Sequence, residues 1–269
     1  GRRDDHPFMP MPIAFPKVAT NPAYVWPFET EPEPGLNGRT LPIWRGKTLG
    51  GCSSINAMIN VRGSRYDYDL WRQRGLEGWG YRDVLPYFKK MERSWRGADL
   101  YHGAEGPVGN VPVDRPEAFF EQLQQAAVNS GLAAIGDHHG PEQEGISRIE
   151  LTTNSGRRAS SARAYLHPAM KARKNLTVLT KAQTTRILFE GKHAVGVEYL
   201  RGGEVQRVYA NREIIVSAGT YASPQLLMLS GIGPADELRA LGVDVVQDLP
   251  GVGQNLQEHP NLLNIYRAN

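Results

Sequence analysis

The residues best placed to do chemistry lie between Gly46 and Asn56, in the run "GKTLGGCSSIN". Gly46-Lys47-Thr48 imitates the end of a triphosphate-binding loop. That motif needs a glycine five positions earlier, where this chain has Leu41, and Leu41-Pro42-Ile43-Trp44-Arg45 is too bulky and stiff to cradle phosphates with backbone amides. The second half of the run is better suited to a ligand. Gly50-Gly51 lets the main chain approach a flat or phosphorylated group without side-chain obstruction. Ser53 and Ser54 supply hydroxyls, and a helix opening there toward Val61 would aim free amides and its positive end at the same place. A capped helix start after a glycine turn would use the same residues, so the run alone leaves two readings.

Three more glycine clusters lie downstream: Ser217-Ala218-Gly219, Gly231-Ile232-Gly233 and Gly251-Val252-Gly253. Neither of the last two completes a dinucleotide fingerprint, because Asp236 and Leu256 fall where the third glycine belongs. Among the histidines, His138-His139 with Asp137 and Glu142 could suggest a metal. Their glycine-flanked loop has no ligand spacing, and solvated side chains are expected there. His259, in "QEHP", is a possible base by residue type only.

The elements that would position these residues change character along the chain. Helices are expected over Asp67–Trp71, over Tyr81–Met91 with Asp83 as cap, and over Asp114–Gly131 with Pro116 in its first turn. In the last, Phe119, Phe120, Leu123, Ala126 and Ala127 share a face. A further helix over Ser160–Arg173 should kink or restart at Pro168. From Asn175 the period becomes two, and "LTVLT", "TRILF", "AVGVEYL", "EVQRVYA" and "EIIVSAG" read as strands, with hairpin turns at Glu190-Gly191-Lys192 and Gly202-Gly203. The last, Ile214–Ala218, is apolar throughout, as in a strand buried on both faces of a parallel core. Helices are expected over Ser223–Ser230 and in "GIGPADELRALG".

Composition narrows the class. The 269 residues carry a formal net charge of +3 with basic residues scattered, which argues against nucleic-acid binding. A single cysteine, Cys52, rules out internal disulfides and cysteine-rich metal sites. No apolar run reaches the roughly 18 residues of a membrane span, so a cytoplasmic setting is the expectation. The first 45 residues are rich in proline and lack periodicity, yet Phe15, Tyr24, Trp26 and Phe28 argue that they fold. They suggest a chain cut from something larger.

Taken together, five stretches resemble a known family. "RGKTLGGCSSINAMINVRGSRYDYDLW" is similar to the first signature of the glucose–methanol–choline (GMC) flavoprotein oxidoreductases, and "AGTYASPQLLMLSGIG" to the second. "DLPGVGQNLQEHP", "GWGYRDVLPYFKKME" and "GRRASSARAYLHPAMKARKNLTVLT" resemble segments of its choline dehydrogenase-like, bacterial alcohol dehydrogenase branch. The resemblance implies a mixed α/β fold: a partial, Rossmann-like FAD-binding domain with an antiparallel meander and part of a substrate domain. The implied partition is residues 1–63 and 175–260 for cofactor binding, 64–174 for the substrate region, and 261–269 for the start of a further substrate portion.

The same resemblance implies a cofactor, FAD, contacted by Thr48, Gly50, Gly51, Ser53 and the run Asn56-Ala57-Met58-Ile59. It also implies an adenine contact through the backbone of Thr184, and adenosine-side contacts from Ser217, Ala218 and Gly219. Where some members bond FAD through a histidine, this chain has Ile55, so the cofactor is expected to be non-covalent and Cys52 to be a packing residue. The implied activity is oxidation of a small primary alcohol by hydride transfer to flavin, with no acceptor specified. The family's glycine-rich first turn has no match here. Its catalytic histidine is expected beyond residue 269, which leaves this chain without a catalytic residue of its own. A hydroxynitrile lyase-like protein of the same fold, or an inactive fragment, would share these motifs.

Overall fold

A computed structural model describes residues 1–113 and 119–258. The chain divides into two compact units, Gly1–Thr180 and Lys181–Asn269.

The proline-rich start of the first unit is folded. Helix α1 (Phe15–Ala19) precedes strands β1 (Val25–Glu29) and β2 (Pro42–Gly46), which pair antiparallel from Val25 opposite Gly46 to Glu29 opposite Pro42. Met9, Val18, Tyr24, Val25 and Ile55 form a buried cluster beneath them. The early aromatics thus belong to a packed unit, as their abundance implies.

Helix α2 (Arg65–Gln73) begins where the Ser64 hydroxyl accepts the Tyr66 N–H. Helix α3 (Tyr81–Met91) has the bounds its sequence pattern predicts, and Asp83 caps it from inside the first turn by accepting the Gly80 N–H at 3.0 Å. The Tyr68 ring packs edge-on against Trp71 and Phe88 at 5.3 and 5.7 Å. Strand β3 (Glu92–Ser94) lies parallel to β4 (Val108–Pro112), which pairs antiparallel with β5 (Glu150–Leu151). Helix α4 (Phe120–Asn129) occupies the end of the expected Asp114–Gly131 helix; Asp114 and Pro116 lie outside the described residues. Its expected apolar face is not buried, with Phe119 and Leu123 well exposed.

Strands β6 (Thr153–Asn154) and β7 (Arg157–Arg158) form a tight hairpin through Ser155 and Gly156, both with positive φ. A π turn at Ala162–Leu166 then leads into α5 (His167–Ala172). Pro168 sits in the first turn of α5, so the helix restarts there, as the missing proline N–H requires.

The second unit is an antiparallel meander of β8 (Gln183–Glu190), β9 (His193–Arg201) and β10 (Glu204–Tyr209), ordered β10-β9-β8. Both expected hairpin turns are present, with Gly191, Gly202 and Gly203 at positive φ. Helix α6 (Ala222–Leu229) is tied to β8 by one side chain. The buried Ser230 hydroxyl accepts the Ile187 N–H at 2.8 Å and donates to the Leu226 carbonyl at 2.6 Å. Replacing Ser230 with alanine strands that N–H away from water, an expected loss of about 1–3 kcal/mol readable in urea melts. Strands β11 (Ile232–Gly233) and β12 (Gln247–Asp248) pair parallel, and between them Asp248 caps α7 (Ala235–Ala240) by accepting the Ala235 N–H at 3.0 Å.

Two expected strands are absent. "LTVLT" (176–180) forms no ladder, and neither does Ile214–Ala218, where Ile215 is 77 % exposed. The expected parallel core is not formed among the described residues: the parallel pairs there are β3 with β4 and β11 with β12. Apolar sequence supplies the propensity for a buried strand, but neighbouring strands must supply the hydrogen bonds, and none flanks this segment among the described residues.

Candidate functional site

The loop after β2 is closed by backbone contacts that only glycine permits. A Cβ on Gly46 would lie 2.3 Å from the Gly51 carbonyl group. Gly50 and Gly51 both adopt positive φ, at 82° and 53°. The Cys52 sulfur is exposed and accepts the Gly46 N–H at 3.3 Å, so this residue closes the loop rather than filling a core, as was expected of it. Thr48 is buried, and its hydroxyl donates to the Arg2 carbonyl at 3.3 Å.

The paired serines do not open a helix. Gly51–Ser54 is a single 3₁₀ turn that ends where a helix was expected to begin. Ser54 Oγ donates to the Leu49 carbonyl at 2.7 Å and Ser53 Oγ to the Gly50 carbonyl at 2.6 Å. Both hydroxyls therefore satisfy loop carbonyls instead of capping amides. Ser53 Oγ also accepts the Ser161 N–H at 2.9 Å.

Arg158 explains why no helix follows. This residue, on β7, is 2 % exposed. Its Nη1 donates to the Ser53 carbonyl at 3.1 Å and to the Asn56 carbonyl and Oδ1 at 2.7 and 2.8 Å, and its Nε to the Met9 carbonyl at 2.9 Å. In a helix the carbonyls of Ser53 and Asn56 would serve Ala57 and Asn60. Instead Asn60 donates to the Glu150 carbonyl, and Met58 turns to φ 63° with its side chain buried.

The consequence is two outward amides, those of Ala57 and Ile59, on either side of the Met58 N–H, which Asn56 Oδ1 accepts. In a planar trans peptide the C=O and the next N–H point to opposite sides. Because the Asn56 carbonyl faces Arg158, the Ala57 N–H faces away from it. The Met58 carbonyl accepts the Thr152 N–H at 2.8 Å, so the Ile59 N–H turns away from that bridge. Neither amide has a hydrogen-bond acceptor among the described residues. Asn56 and Ile59 are exposed beside them.

Thr48, Gly50, Gly51, Ser53 and Asn56–Ile59 thus share one loop. The remaining residues named from the sequence belong to the second unit. Thr184 is exposed on β8, opposite Tyr199 and beside a bulge. Ser217, Ala218 and Gly219 are exposed ahead of α6, where the Ala218 N–H donates to Ser223 Oγ at 3.0 Å and Gly219 has φ 91°. His259 lies outside the described residues.

A second constellation in the first unit has no sequence signature. Glu92 Oε2 accepts from Arg62 Nη2 at 2.8 Å, from His102 Nδ1 at 3.0 Å and from the Gly103 N–H at 3.1 Å. The other nitrogen of His102 meets Asp137 at 2.9 Å. Asn110 bridges Glu92 to Glu150, which also takes Arg96 and the Trp95 indole. The hydrogen bond to Glu92 outweighs burial and, with Asp137, pushes the His102 pKa up to about 9. Burial alone would raise the Glu92 carboxyl, but the His102 hydrogen bond and the Arg62 charge hold it below its ordinary value.

His139 is fully buried, which corrects the expectation of a solvated His138-His139 pair; its Nε2 accepts the Arg62 N–H at 3.3 Å. Burial, reinforced by His138 and Arg62, pushes its pKa down to about 4. Glu92, His102 and His139 bring ligand-type atoms within 4.8 Å of one another. However, Arg62 already occupies Glu92, and both His102 nitrogens face carboxylates, so these groups are committed to ion pairs.

Similarity to known proteins defines the class. The family model for GMC oxidoreductases matches residues 19–261, and the chain belongs to that family. It is 48 % identical over 261 residues to an oxygen-dependent choline dehydrogenase of Sinorhizobium fredii (strain NBRC 101917 / NGR234), covering 96 % of this chain and 47 % of that protein. A protein of the same description from Xanthomonas campestris pv. campestris (strain B100) is 49 % identical over 263 residues, covering 96 % and 47 % respectively. The chain spans about half the length of the curated relatives it matches.

Among solved structures, pyridoxine 4-oxidase from Mesorbium loti superposes with a TM-score of 0.87 at 34 % identity, covering 93 % of this chain and 49 % of that one. A formate oxidase from Aspergillus oryzae RIB40 gives 0.83 at 28 % identity, covering 94 % and 45 %. The mixed helix-and-sheet architecture is that of these oxidoreductases. No helix among the described residues is long and apolar enough to cross a membrane.

Proposed function

We propose that this chain supplies the loop that holds FAD in an oxidoreductase acting on the CH–OH group of a small primary alcohol. The observation that carries the reading is the run Asn56–Ile59. Its Asn56 and Met58 carbonyls are drawn inward by Arg158 and by the Thr152 amide, and its Ala57 and Ile59 amides face away from them without acceptors among the described residues. Backbone donors of this kind stabilise electron-rich ring edges and anionic oxygens, and they need no reorganisation to do so. Gly51 adds an open approach, since a Cβ built there meets nothing within 4 Å. The residues present therefore fit a flavin dinucleotide. When bound, FAD would supply the two-electron acceptor that no amino-acid side chain provides.

On this reading Thr48, Gly50, Gly51 and Ser53 shape the approach to the pyrophosphate, and Asn56, Ala57, Met58 and Ile59 line the flavin. Thr184, Ser217, Ala218 and Gly219 serve the adenosine end. Residues 1–63 and 175–260 form the cofactor-binding portion and residues 64–174 the substrate side; residues 261–269 lie outside the described residues. Ile55 is buried in the cluster with Met9 and Val18 and offers no nucleophile, which supports non-covalent binding.

The protein, expressed at full length, should purify yellow, and acid precipitation should release the flavin into the supernatant. Flavin that stays with the precipitate would overturn non-covalent binding. Anaerobic addition of primary alcohols, choline first, should bleach the flavin absorbance. A flavin-loaded protein that no alcohol bleaches would overturn the oxidoreductase reading.

A further inference from the structure

Arg158 is an unusual group for a protein interior. Its side chain is buried, and no carboxylate pairs with it among the described residues. Its Nη2 is shielded from solvent and has no acceptor there. Burial lowers its pKa only to about 10, so it keeps its charge at neutral pH. An unpaired buried cation is costly, because carbonyl dipoles replace only part of its hydration.

The contacts show where that cost is applied. Four of the acceptors are the Met9, Ser53 and Asn56 carbonyls and the Asn56 side-chain oxygen, three of them in the proposed flavin loop. A lysine could reach one or two of these positions; the planar guanidinium reaches all of them from one side. Asn56 is locked further, since its Oδ1 also accepts the Met58 N–H at 3.1 Å.

We propose that Arg158 is a positioning residue for the flavin: it holds the Ser53 and Asn56 carbonyls inward, which leaves the Ala57 amide facing outward, and its uncompensated charge favours the reduced, anionic cofactor over the oxidised one. This inference rests on the flavin reading above. Uptake of two electrons and one proton leaves FAD with one more negative charge than before. A buried cation behind the loop lowers the free energy of that form, because low-dielectric surroundings screen it weakly. The guanidinium acts through the loop and through its field; it does not itself touch the reacting atoms.

The test uses the full-length, flavin-loaded protein and the variants Arg158→Gln and Arg158→Lys, with FAD dissociation constants and midpoint potentials measured for each. Arg158→Gln removes the charge. Its reduced-over-oxidised affinity ratio should fall about tenfold, which for a two-electron couple is a drop of about 30 mV. Arg158→Lys keeps the charge but not the fork, so FAD should bind less tightly while the potential stays at the wild-type value. If Arg158→Gln does not fold, the lysine variant decides alone: unchanged FAD affinity overturns the proposal. A purely structural role would lower the melting temperature of both variants and leave the potential of both unmoved, which also overturns it. A wild-type protein that binds no FAD overturns the flavin reading itself, whereas a flavin-loaded wild type matched by both variants overturns only the role of Arg158.

Discussion

Replacing Glu92 with alanine is expected to destabilise the first unit by about 3–5 kcal/mol, measured as a shift of the denaturant unfolding curve. The size follows from what the carboxylate leaves behind. Glu92 is 4 % exposed and serves Arg62, His102, the Gly103 amide and Asn110 at once. After the substitution Arg62 keeps the Tyr101 carbonyl at 2.8 Å and the face of Phe88 but no carboxylate among the described residues, and His102 keeps Asp137. Both cations are buried, so water cannot readily take over. Glu92→Gln preserves shape and some hydrogen bonding, and should cost less than alanine. A loss near that of an ordinary surface substitution would mean the network is hydrated in solution and the expected burial is wrong.

Stability should also peak near pH 6.5, with opposite histidines setting the two limbs. In the folded chain His102 holds its proton up to about pH 9, against 6.5 as its ordinary value. Its contribution is therefore complete below 6.5 and is lost as pH rises through 9. His139 behaves in reverse, with a folded value of about 4 against 6.5. Its contribution is complete above 6.5 and is lost as pH falls through 4. The carboxyls of Glu92 and Asp137, both held below their ordinary values in the fold, steepen the acid limb as they protonate. Each histidine limb amounts to roughly 3 kcal/mol. Thermal melts across this range should trace the peak, and His102→Gln should flatten its alkaline side. A profile with no fall on either side would refute the assignment.

Two features of the sequence were legible because their physics is local. Gly191, Gly202 and Gly203 mark hairpins because the turns need positive φ, and β8, β9 and β10 follow from period-two patterning. Helix α3 matches its predicted bounds because Asp83 and the apolar spacing act within the segment. Elsewhere the local signal misled. Ser53-Ser54 has the composition of a helix cap, yet Arg158, more than a hundred residues later, takes the carbonyls that a helix would need. Ile214–Ala218 has the composition of a buried strand, yet no ladder flanks it among the described residues.

The amino-acid sequence by itself determined the family, through ordered signatures from Arg45 to Pro260, and with it the loop that carries the proposed cofactor site. It also determined the absence of a histidine at Ile55, a fact of residue type that needs no coordinates. Only the tertiary structure decided which way the peptide groups of that loop face, because this depends on a guanidinium delivered by the β6–β7 hairpin. Only it joined Arg62, Glu92, His102, Asp137 and His139, residues dispersed over 78 positions with no shared motif. Signatures are written along the chain, whereas charge compensation is settled by which side chains the fold seals from water together.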